Sequence, residues 1–169
     1  MFYNVFEPEI REKLTKILTL GHDIGLHFYP GAHHKEGYDV SDRLLFETQV
    51  LERLLGIELK AVSLHNPDAV KDGGRFITEA GLINAYDFLP GKGWGYCSDS
   101  NGYWRYDPLQ KVLEEAPPQN LQVLTHPAWW QDEPMAPRER IEHCAQGRAK
   151  ATMQRYDANL AKARRMNFS

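Results

Sequence analysis

The apolar residues near the start of the chain recur at helical spacing. Ile10, Leu14, Ile17 and Leu18 predict a helix over residues 8–20, and Gly21 follows as a stop. Pro8 suits the first turn, and Glu7 and Glu9 suit the positive end of the helix dipole. The pattern then changes to period two in "GHDIGLHFYP", residues 21–30. In a strand, Ile24, Leu26 and Phe28 share one face with His22, while Asp23, Gly25, His27 and Tyr29 share the other. Helical spacing returns with Leu44, Leu45, Val50, Leu51, Leu54 and Leu55, a wide apolar face. Ser41 or Asp42 is a credible N-cap for this second helix, and Gly56 is a natural stop.

Further strands are read at "ELKAVSLHNP" (58–67), "GWGYCSDSNG" (93–102) and "NLQVLTHP" (120–127). A short helix is expected over 107–116 with Asp107 at its cap, and a long one over about 137–165 with Gly147 as its weak point. Residues 75–90 are ambiguous, with a short helix or loop around 78–86. Strands that alternate with helices predict an α/β fold with a parallel sheet, here one curved sheet in a single domain spanning 1–169.

That order puts polar groups at corresponding places. His27, His65 and His126 each end an apolar strand, and Asp99 ends another. In parallel α/β folds functional groups collect at the carboxyl ends of the strands. Imidazole and carboxylate ligate divalent transition metals and also serve as acids and bases. A lone strand-end histidine is more often structural, but four polar groups in equivalent places point to chemistry. His22 is expected on the opposite, helix-covered face as a structural residue, and His143 in the last helix is read the same way.

Composition narrows the function classes. The net charge of −3 gives no electrostatic case for nucleic acid. The basic residues Arg155, Lys162, Arg164 and Arg165 read as a solvated face and tail. Nothing approaches a membrane span, and MFYNVFEPEIREK lacks the basic and apolar blocks of a secretory signal, so a soluble cytoplasmic protein is expected. Cys97 and Cys144 have no metal-finger spacing and read as reduced thiols.

Four blocks, "LGHDIGLHF", "VSLHNP", "YCSDSNGYWR" and "VLTHPAWW", resemble in order those of a bacterial group within the polysaccharide deacetylase superfamily of carbohydrate esterases. The resemblance covers about Tyr3 to Trp130. It implies a distorted or partial (β/α) barrel and a hydrolase that removes acetyl groups from a sugar with a divalent metal, often zinc. His27 matches the first metal histidine of the superfamily's His-Ser/Thr-x-x-His motif. The second histidine of that motif falls on Gly31, so His65 is preferred as the other ligand, with His33 or His34 as alternatives. A ligand at a strand end is better fixed than one on a Pro-Gly loop. Asn66 and Pro67 stand at the Arg-x-Pro motif without its arginine. Asp99 and Trp104 fall in the block that lines the substrate groove, and His126 matches the histidine that protonates the leaving amine or alkoxide. The superfamily's first strand carries an aspartate pair, whereas MFYNVFE alone precedes the first helix here. The expectation is therefore a domain lacking that strand.

On this reading His27 and His65 hold the metal, His126 is the general acid, and Asp99 is the base or else a turn cap. Asn66, Trp104, Trp129 and Trp130 contact a carbohydrate, and Trp94 is a further candidate for stacking. For Trp129 and Trp130 packing in the core or at its rim is an equal alternative. The competing function is a non-catalytic remnant that binds carbohydrate or a protein partner, and an incomplete barrel would expose a sheet edge that invites homo-oligomerisation. A metallophosphatase-like or amidohydrolase-like enzyme is a weaker third reading, because such sites need more carboxylates.

Overall fold

The computed structural model describes residues 4–33, 39–67, 70, 74–88, 94–115 and 120–166. The chain divides into two compact units, Phe2–Phe88 and Leu89–Ser169, with Met1 grouped in the second. The architecture is mixed α/β with short parallel sheets.

In the first unit, helix α1 spans Pro8–Thr19, with Pro8 in its first turn as expected. Its apolar stripe is only half-buried, and Ile17 is exposed. Strand β1 is Leu26–Phe28, shorter than the alternation suggested. His22 consequently lies before the strand with its side chain exposed, and not on a covered face. Helix α2 spans Val40–Leu55 and is capped by Asp39, whose carboxylate accepts from the Ser41 amide at 2.7 Å. The cap thus falls two residues before the first of the candidates read from sequence. Leu44, Thr48 and Leu51 form its buried stripe, and Leu45 is left exposed.

Strand β2, Ala61–Leu64, pairs parallel with β1 in the register Leu26 to Val62, His27 to Ser63 and Phe28 to Leu64. The ambiguous region resolves into helix α3 (Arg75–Glu79), strand β3 (Ile83–Asn84) and a 3-10 turn over Ala85–Phe88. Strand β3 pairs parallel with β2, giving the order β1-β2-β3. Phe28, Leu44, Val62, Leu64, Phe76 and Ile77 form the core of this unit. Strand alternation therefore sends Leu26, Phe28, Val62 and Leu64 inward, and turns His27, Tyr29, Ser63 and His65 to the other face. The strands approach closely at Gly25, where a Cβ would stand 2.7 Å from the Ala61 carbonyl oxygen.

In the second unit, β4 (Trp94–Ser98) and β5 (Asn120–Leu124) form a separate parallel pair over five register positions. The first two strands are parallel as predicted, but the described strands form two sheets and not one. Helix α4 covers Leu109–Glu115, and residue 116, its expected end, lies outside the described residues. Asp107 meets Lys111 Nζ at 2.7 Å. Helix α5 runs unbroken through Gly147 from Pro137 to Lys162. Among the described residues no helix is long and apolar enough to cross a membrane.

Candidate functional site

The first unit brings His27 and His65 together at the carboxyl ends of β1 and β2. The His65 amide donates to the Phe28 carbonyl at 2.8 Å, extending the ladder beyond β2 and fixing the backbone beneath its ring. His27 Nε2 lies 3.3 Å from His65 Nδ1, and His27 Nδ1 lies 2.8 Å from Ser63 Oγ. Tyr29 packs edge-on against His65, with ring centroids 4.8 Å apart. Both histidines and Asn66 are exposed.

The spacing of the two imidazole nitrogens bears on a metal. With Zn–N bonds of about 2.0–2.1 Å, two vertices of a tetrahedral shell stand about 3.3–3.4 Å apart. The His27–His65 separation equals that edge, so the distance is compatible with a shared ion, and in the structure it is spanned by a direct hydrogen bond. Among the described residues no group of three or more His, Cys, Asp or Glu forms a metal cluster. His34 lies outside the described residues, as does the side chain of His33.

The second unit brings Asp99 and His126 together at the carboxyl ends of β4 and β5. The Asp99 amide donates to the Leu124 carbonyl at 3.1 Å, which continues the β4–β5 pairing and sets the carboxylate beside the next strand end. Asp99 is 5% exposed. Its Oδ2 accepts from the His126 backbone amide at 3.0 Å, and its Oδ1 lies 2.7 Å from His126 Nδ1. With an ionised carboxylate, which only accepts, Nδ1 must carry a hydrogen. The imidazole is thereby held in one tautomer and one orientation, with Nε2 left for a ligand. Both carboxylate oxygens bond to His126, so Asp99 orients the imidazole. Its side chain does not cap the turn. The chain reverses instead through Asn101 and Gly102, both at positive φ, and a Cβ at Gly102 would meet Pro137 at 2.9 Å.

Arg140 of α5 holds this end of the unit together. Its Nε donates to the Met135 carbonyl at 2.7 Å, and Nη1 donates to the carbonyls of Gly102 and Trp129 at 3.3 and 3.4 Å. The arginine thus ties the turn after β4 to the turn after β5, a long-range contact that no local pattern announces. The Trp129 ring lies 6.4 Å from that of His126, and its buried Nε1 has no hydrogen-bond partner among the described residues. Trp130 is 64% exposed and so available to stack on a ligand. Trp104 follows the same turn, half-buried, where the Arg105 amide returns to the Ser98 carbonyl at 3.1 Å. Trp94 stands at the amino end of β4, about 13 Å from the functional end at roughly 3.3 Å per residue.

The remaining candidates play structural parts. His143 Nδ1 meets Gln131 Oε1 at 2.6 Å. Cys97 is fully buried, and burial together with the Asp107 carboxylate pushes its thiol pKa up. Cysteine reactivity requires the thiolate, so Cys97 is inert at neutral pH.

Chemically, the chain presents two imidazoles in direct contact and a carboxylate-oriented imidazole suited to proton transfer. No family model matches the chain, and no curated protein and no solved structure matches it.

Proposed function

We propose that this chain is a metal-dependent hydrolase of the polysaccharide deacetylase type, acting on an acetylated sugar. The observation that carries the reading is the Asp99–His126 pair, a strand-end imidazole bonded at 2.7 Å to a buried carboxylate. Hydrolysis of an acetamide requires a proton on the departing nitrogen, because a free amide anion is too poor a leaving group. His126 as imidazolium would deliver that proton from Nε2, while Asp99 keeps the Nδ1 hydrogen and the ring in place. His27 and His65 would hold the metal, and the chemistry it would supply is Lewis-acid activation of a carbonyl and of water. Asn66 offers hydrogen bonds to sugar hydroxyls, and Trp104, Trp129 and Trp130 offer apolar faces to the ring. The distorted or partial (β/α) barrel that the resemblance implies is part of the same proposal.

A second reading, a carbohydrate-binding remnant, is favoured by one observation. No third ligand joins His27 and His65 among the described residues, whereas catalytic zinc sites usually have three protein ligands. One assay separates the two. Full-length protein with added zinc or cobalt should release acetate from an acetylated amino sugar. Sugar binding without acetate release under the same conditions would leave the remnant.

A further inference from the structure

We propose that Ser63 is a positioning residue that selects the ligating tautomer of His27. The inference rests on the reading of His27 and His65 as metal ligands and adds a residue to it. His27 and Ser63 are register partners on adjacent parallel strands, so their side chains rise from the same face of the sheet. Ser63 Oγ lies 2.8 Å from His27 Nδ1, and the same ring presents Nε2 at 3.3 Å from His65 Nδ1.

A serine hydroxyl can donate or accept, and the two choices have opposite consequences. When Nδ1–H donates to Oγ, the lone pair that ligation needs is on Nε2. When the hydroxyl donates to Nδ1, the hydrogen sits on Nε2 and blocks it. A metal-ready pair needs the first arrangement, in which His27 Nε2 accepts from His65 Nδ1–H across the 3.3 Å contact. Strand β2 is otherwise Ala61, Val62 and Leu64, so Ser63 is its one hydroxyl, placed opposite the one histidine of β1. A residue needed only to fill this half-buried position would serve as well as alanine. Hydrogen bonds of this kind to the non-ligating nitrogen orient metal histidines and raise affinity.

The test uses the full chain with Ser63→Ala and Ser63→Thr. Long-range proton–nitrogen NMR of the metal-free protein reads the His27 tautomer, and calorimetry with zinc alone reads affinity. The wild type and Ser63→Thr should show hydrogen on Nδ1. Ser63→Ala should shift the population towards Nε2–H and weaken zinc binding about 10- to 100-fold, with Ser63→Thr much less affected. Circular dichroism confirms that each variant is folded, and the threonine variant keeps the test valid if alanine disrupts the strand. An unchanged tautomer and affinity in folded Ser63→Ala would overturn the proposal. A tautomer shift in a protein whose wild type takes up no zinc would support the positioning of His27 and overturn its role as a ligand.

Discussion

Replacing His126 by alanine should lower turnover of an acetylated amino sugar by about 10²- to 10⁴-fold, the range for loss of a positioned acid. Asp99→Asn should approach the same loss without removing the imidazole. The geometry leaves an asparagine no good orientation. With its carbonyl towards His126 Nδ1–H, its amide NH₂ faces the His126 backbone N–H, two donors opposed. Flipped, the NH₂ meets Nδ1 and occupies its lone pair, so the ring cannot become the imidazolium that donates from Nε2. At a site only 5% exposed neither conflict is relieved by water, and an unmade buried hydrogen bond costs about 1–3 kcal/mol. Steady-state rates of both variants beside the wild type check this. An Asp99→Asn protein with unimpaired turnover would show that the carboxylate does not orient the acid.

The largest effect on stability is expected at Phe28. Its side chain is fully buried, meets Phe76 edge-on at 6.1 Å between centroids, and lies under the Arg43 guanidinium at 5.5 Å. Phe28→Ala removes a ring from the centre of the first unit's core and should cost about 3–5 kcal/mol. That is a large part of the 5–15 kcal/mol typical of whole domains. Urea unfolding followed by circular dichroism should show the N-terminal unit losing its transition at much lower denaturant. Phe28 follows His27 directly, so the variant should also weaken zinc binding. A loss below about 1 kcal/mol would mean that the site repacks, contrary to the large-to-small behaviour of close-packed cores.

Parts of this arrangement were legible from the chain alone because they depend on short-range periodicity. The spacing of Ile10, Leu14 and Leu18 located α1, and the alternation through Leu26, His27 and Phe28 separated the inward residues from the polar face. The end-of-strand placement of His27, His65, Asp99 and His126 followed from reading the strands as parallel. What was hidden depends on distant or very short signals. Strand β3 is two residues long, with too few positions for a period to register. Asp39 was hidden because Ser41 and Asp42 carry equally good capping chemistry. The division of the strands into two sheets is a matter of pairing partners, which alternation does not encode. Asp99 read as a base or a turn cap because its partner His126 is 27 residues away in sequence. The Arg140 clamp was invisible for the same reason, since its carbonyl acceptors lie on separate turns.

The role of His126 is open to a direct kinetic measurement, the sensitivity of the His126→Ala variant to the leaving group. A sugar amine must be protonated to depart, whereas 4-nitrophenolate leaves without a proton. The wild type and His126→Ala would be compared on an acetylated amino sugar and on 4-nitrophenyl acetate, with zinc at saturating concentration. With His126 as the acid, kcat/KM should fall by about 10²-fold or more on the sugar and by less than about tenfold on the ester. An equal loss on both substrates, or no loss on the sugar, would contradict the assignment of His126 as the proton donor.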